Sequence, residues 1–167
     1  MNTEKQDGMH ARVMTHEQML AESGFDICLP ISGSMRPLIR VRRDSALFVP
    51  PTGRLKKYDV VLYRREGYAI MHRVLKVLPE GYIIRGDNSN GCEWVAQEQV
   101  IGVMQGFYRD EWYISAKNPI YRAYAFIWPK LHPLLMLYKR LHRLARHARW
   151  IVCQILHRAL YYILKVF

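Results

Sequence analysis

Between Phe25 and about Ser115 the apolar residues fall in short runs, each closed by Gly, Pro, Asn or Asp. Asp26 to Ile31, Ser45 to Val49, Asp59 to Tyr63, Tyr68 to Val77, Tyr82 to Arg85, Val100 to Tyr108 and Trp112 to Ile114 read as strands. The closing signals are Pro50-Pro51, Arg64-Arg65-Glu66-Gly67, Pro79-Glu80-Gly81, the loop from Gly86 to Gly91, and Arg109-Asp110-Glu111. Val95 to Gln99 reads as a turn or a short helix. Many short strands at regular turn spacing predict a mainly β, antiparallel domain over residues 25–115.

The flanks follow a different pattern. Residues 1–14 are polar and predict a loose terminus. Thr15-His16-Glu17-Gln18 is a capping box, so a short helix is expected through Ala21 and should stop at Gly24. Its expected role in residues 1–24 is to pack on the β domain. Beyond Asn118-Pro119, residues 116–167 form a tail, aromatic as far as Trp128. Pro129 and Pro133 predict an interruption of any helix there. From Leu134 the spacing turns helical: Leu134, Leu137, Leu141, Leu144, Ala148, Ile151 and Ile155 recur at steps of three and four. Lys139, Arg140, His142, Arg143, Arg146, His147 and Arg149 take the other positions. The end, from Trp150 to Phe167, is more apolar, but Gln154, His157, Arg158 and Lys165 interrupt it. A span needs about 20 predominantly apolar residues, so an interfacial segment is expected rather than a transmembrane one.

Charge sharpens that picture. The 167 residues carry a formal charge of +11, and no Asp or Glu follows Glu111. The basic tail points to an anionic partner, a membrane surface more than nucleic acid, and predicts a peripheral, membrane-associated protein, with a cytoplasmic one as the alternative. The first twenty residues are charged throughout, which predicts neither a signal peptide nor an N-terminal membrane span. Cys28, Cys92 and Cys153 have no C-x-x-C spacing. They indicate neither a disulfide framework nor a zinc site, and each is read as a small buried hydrophobe. Nothing in the pattern calls for a metal or cofactor.

The candidate chemistry begins at Ile31-Ser32-Gly33-Ser34-Met35-Arg36-Pro37, a turn that offers hydroxyls between apolar flanks. A turn hydroxyl becomes a nucleophile when a base lies within reach. His72 is the one histidine inside the β region, and its ordinary pKa leaves it largely neutral at pH 7. Strand alternation puts Arg73 on the opposite face and Lys76 on the same face, so a Ser-Lys dyad is an alternative. Lys56 and Lys57 read as loop lysines. Asp59 reads as a strand tether and Asn88 as a brace for its loop.

The string Ser32-Gly33-Ser34-Met35-x-Pro37 resembles the serine box of the type I signal peptidases. Tyr58-Asp59-Val60-Val61, with Tyr in place of Gly, Met71-His72-Arg73-Val74 and Arg85-Gly86-Asp87-Asn88 resemble that family's later boxes, in order, over roughly residues 27 to 105. The histidine is similar to the endoplasmic-reticulum, archaeal and sporulation-type branch, and the short form resembles small signal-peptidase-like proteins of Gram-positive anaerobes. The resemblance implies a signal-peptidase-like β catalytic domain and a serine endopeptidase acting on a peptide or preprotein with small P1 and P3 residues. It implies Ser34 as nucleophile, His72 as base, and Asp87 as the acid that orients His72. Glu93 falls where the branch carries a second Asp, so either carboxylate could face His72. Ser32 Oγ and Ser34 N–H would form the oxyanion hole, where losing one donor typically costs about 2.7–4 kcal/mol. Two further readings are a self-cleaving regulator with a Ser-Lys dyad, and a non-enzymatic protein whose tail binds a membrane surface or nucleic acid.

Overall fold

The computed structural model describes residues 14–166, with side chains along the C-terminal helix as far as Ile155. The polar residues 1–13, read as a loose terminus, lie outside the described residues. Helix α1 (His16–Ser23) opens the described chain. Thr15 caps it with the reciprocal Gln18 bond, and Gly24 closes it in the left-handed region, where glycine is unstrained. Strands β1 (Asp26–Cys28), β2 (Asp44–Val49), β3 (Val60–Arg65), β4 (Tyr68–Leu78), β5 (Gly81–Arg85), β6 (Glu93–Ala96), β7 (Val100–Arg109) and β8 (Trp112–Ser115) follow, and then α2 (Pro119–Val166).

All strand pairs are antiparallel, in the order β1-β2-β7-β3-β4-β5-β6. Strand β8 pairs the far end of β7. The β3–β4 hairpin turns through Glu66 (φ 51°) and Gly67 (φ 83°), two left-handed residues that match the twist of the flanking strands. Val60, Val61, Leu62 and Tyr63 are all buried, so central strand β3 is covered on both faces. Leu55, Val61, Tyr63, Val74, Tyr82, Ile84 and Val95 form one core cluster beside the hairpin. Helix α1 contributes buried Leu20, which lies over Gly102 of β7, and Glu17 pairs with Arg64 of β3.

Four expectations need correction. Residues 93–96 form a strand, so the turn or short helix expected over Val95 to Gln99 is confined to one 3-10 turn at Gln97–Gln99. The four strand residues are too short for periodicity to show; pairing with β5 makes them a strand. Lys76 does not share the His72 face. A bulge between Val74 and Lys76 breaks the alternation, so Val77 packs on the Val74 side and Lys76 is exposed. Pro129 and Pro133 do not interrupt the tail helix, which starts at Pro119 with Asn118 Oδ1 accepting from the N–H groups of Ile120 and Tyr121. Each proline removes one helical bond at a local cost of about 3 kcal/mol, and no glycine follows Gly106 to turn the chain out of the helix. Cys92 and Cys153 are exposed, and only Cys28 is buried.

The chain divides into a unit of residues 1–122 and a unit of residues 123–167. In the second, the apolar series from Leu134 to Ile155 and the interleaved Lys and Arg side chains are exposed. Among the described residues, no helix is long and apolar enough to cross a membrane.

Candidate active site

Ser34 sits in the loop between β1 and β2. The loop is anchored from behind by Met35, Leu38 and Ile39, all 5% exposed or less. Its exit is braced by buried Asp44, which accepts from Arg40 N–H at 2.9 Å and from Arg40 Nε at 2.8 Å. Arg109 adds a 2.6 Å bond to the Leu38 carbonyl. The apolar residues after the serines therefore fix the backbone and leave the hydroxyls at the surface. Ser32 Oγ lies 3.3 Å from Ser34 Oγ.

The loop after β5 holds the serine turn from the other side. Asn88 N–H donates to the Ser34 carbonyl at 2.7 Å, and Asn88 Nδ2 donates to the Gly33 carbonyl at 3.2 Å. Gly86 marks the closest approach. A β-carbon placed there would lie 2.7 Å from the Ser34 carbonyl oxygen, 2.9 Å from His72 Nε2 and 2.5 Å from Ser89 Oγ. The backbone of Ser34 and one ring nitrogen of His72 are thus held against the same point, which only a glycine leaves open.

The other ring nitrogen, Nδ1, lies 2.7 Å from Glu93 Oε1. The same carboxylate accepts from Tyr63 O–H and from Arg65 Nη1. Burial raises the Glu93 pKa, but the bonds from Tyr63, Arg65 and His72 outweigh it and hold the carboxyl below its usual range. An ionised Glu93 only accepts, so Nδ1 of His72 carries the proton and Nε2, beside Gly86, keeps its lone pair. Burial pushes the His72 pKa below its ordinary value, against the pull of Glu93, and keeps the ring neutral near pH 7. Burial likewise raises Tyr63, with Glu93 adding to it, so its phenol stays a donor.

Of the two candidate acids, Glu93 is the one on His72. Asp87 faces Arg73 instead, in a two-pronged pair with Nε to Oδ1 at 2.7 Å and Nη2 to Oδ2 at 2.7 Å. Both residues are buried. Arg73 also donates to the Tyr58 carbonyl at 3.0 Å. The expectation that Asp87 orients the imidazole is therefore corrected: strand alternation sends Arg73 away from His72, and Asp87 goes with Arg73. Tyr58 itself stands at φ 80°, a conformation that glycine adopts without strain. Asp59 tethers the start of β3, accepting from Lys56 N–H at 2.8 Å.

Tyr63 and Arg65 were not singled out from the sequence. A two-residue hairpin at Glu66-Gly67 sets Val61 opposite His72. That makes Tyr63 a diagonal neighbour of His72 on the same face, so the signal was present. Neither protein-family models nor curated proteins match this chain.

Proposed function

We propose that the protein is a serine endopeptidase of the signal-peptidase type. The observation that carries this reading is that the Ser34 carbonyl oxygen and His72 Nε2 both pack against Gly86, with Glu93 on the other side of the imidazole. In the proposed cycle His72 Nε2 takes the Ser34 proton as Oγ attacks a peptide carbonyl. Glu93 holds the tautomer and offsets the imidazolium charge. Ser32 Oγ and Ser34 N–H receive the oxyanion, and the imidazolium then protonates the leaving amine. Water, activated by the same ring, releases the acyl group from Ser34. The exposure of Lys76 weighs against its serving as base in a Ser-Lys dyad. The test is a serine-directed acylating probe followed by peptide mapping: an adduct on Ser34 is expected, and its absence refutes the reading.

The pH profile is a second test. Activity requires neutral His72, so it should rise with pH through a midpoint below 6.5. Glu93 favours the imidazolium, so removing its charge depresses the imidazole pKa further. Glu93→Gln should move the acidic limb to lower pH and cut the maximal rate on the order of 10²–10⁴-fold, as expected when an orienting carboxylate is lost. The reverse displacement of the limb in that variant contradicts the assignment. Stability has the same sign: a depressed folded pKa stabilises above pH 6.5 and is lost as pH falls below it.

The second unit favours a peripheral membrane role for the same enzyme. Its exposed leucine series alternates with Lys and Arg, a composition that fits an anionic bilayer surface. Sedimentation with phosphatidylglycerol vesicles, but not with phosphatidylcholine vesicles, is expected at moderate salt. Arg143→Glu with Arg146→Glu should reduce it several-fold. Equal sedimentation with both vesicle types, or with neither, removes this role.

A further inference from the structure

A second cluster of reactive side chains lies where α1 meets β1. His16 is the first residue of α1, and Asp26 and Cys28 share the buried side of β1. His16 Nδ1 is 2.6 Å from Asp26 Oδ2; Cys28 Sγ is 3.2 Å from that oxygen and 3.6 Å from the imidazole nitrogen. One nitrogen, one oxygen and one sulfur donor lie within 4.8 Å of one another.

We propose that His16, Asp26 and Cys28 form a binding site for one divalent transition-metal ion of the zinc class. Metal–ligand lengths of about 2.0–2.3 Å in a tetrahedral site place donor atoms roughly 3.3–3.7 Å apart. Two of the three spacings already lie close to that range. The shortest, between His16 and Asp26, must open by less than about 1 Å, and the His16 side chain, 45% exposed, is free to give. The exposed side leaves the fourth position to water. Donor chemistry selects the ion: thiolate and imidazole suit Zn²⁺ or Co²⁺, whereas Mg²⁺ and Ca²⁺ take oxygen. Charge also balances, since one carboxylate and one thiolate neutralise a divalent cation.

Without metal, the Cys28 thiol donates to Asp26, and burial raises its pKa, so the sulfur is not a ready nucleophile. Binding transfers the sulfur lone pair to the metal and releases the thiol proton to solvent. His16 would present Nδ1 to the ion with its ring proton on Nε2. The ion would fasten α1 to edge strand β1, the strand that leads into the serine loop.

The test uses the full chain with Cys92→Ser and Cys153→Ser, freed of metal by chelator and titrated with Co²⁺. A thiolate-to-cobalt charge-transfer band saturating at one equivalent, and bleached by Zn²⁺, is expected. His16→Gln and Cys28→Ser should each weaken binding at least tenfold, and Cys28→Ser should abolish the band. His16→Gln alters a half-exposed ring, so its circular dichroism should match the parent and it decides the matter even if Cys28→Ser fails to fold. No band in the parent, or an unchanged titration in His16→Gln, overturns the site. The readout involves no peptide cleavage, so its failure leaves the peptidase reading untouched, and the reverse also holds.

Discussion

Ser34→Ala protein should take no acyl group and cleave nothing, a loss of roughly 10⁶-fold if the hydroxyl is the nucleophile. Its fold should survive, because the loop is held by Met35, Leu38 and Ile39 and by backbone bonds from Asn88, none of which uses the Ser34 hydroxyl. A denaturation midpoint close to wild type therefore accompanies the lost activity. The companion variant is Gly86→Ala. It leaves Ser34 and His72 chemically intact but adds a methyl group at 2.7 Å from the Ser34 carbonyl and 2.9 Å from His72 Nε2. Both distances are tighter than packed atoms tolerate, so the turn and the ring must part. A displacement near 1 Å costs about 10²-fold when a proton must pass between two groups. Intact-mass measurement of the probe adduct over time reads both variants. Wild-type labelling rates in either protein would show that the reactive hydroxyl lies elsewhere.

Most of the strands were legible because glycine, proline, asparagine or aspartate follows them; β6, which runs into Gln97, was not. Val49 stops at Pro50-Pro51, Arg65 turns at Glu66-Gly67, and Arg85 ends at Gly86-Asp87-Asn88. His72 was legible as the one histidine among those strands. The choice between Asp87 and Glu93 was not. It depends on β6 lying beside β5, with Glu93 opposite Ile84, and nothing within four residues announces that pairing. Lys76 was misplaced because one extra residue in β4 flips every later side chain to the other face. Pro129 and Pro133 do not end α2, because proline disfavours a helix only locally and leaving one also needs a residue that turns the chain away. His16, Asp26 and Cys28 have no motif spacing because a helix end and a strand supply them separately.

The largest stability effect should come from the pair that the active site does not use. Arg73 is 0% exposed and Asp87 4% exposed, and each meets the other through two bonds. Burial opposes the charge on Arg73, but the contact with Asp87 outweighs it, and the guanidinium stays a cation. Removing one partner breaks a buried, two-pronged charge pair, at a cost of about 3–5 kcal/mol. Arg73→Met and Asp87→Leu should each lower stability by that amount in urea denaturation. Arg73→Met combined with Asp87→Leu should recover most of the loss, because the two opposite charges leave together. The pair also sets the loop that carries Asn88 onto the Ser34 carbonyl. The single variants should therefore lose acylation rate as well, and Asp87→Leu should move the acidic limb to lower pH by less than Glu93→Gln does, because the Asp87 charge is a smaller support for the imidazolium than Glu93. Losses below about 1 kcal/mol in both singles, or a double variant no better than the worse single, would place the energy of this region elsewhere. A limb displaced by Asp87→Leu as far as by Glu93→Gln would return Asp87 to the imidazole, against the geometry in which Glu93 bonds Nδ1 of His72 and Asp87 bonds Arg73.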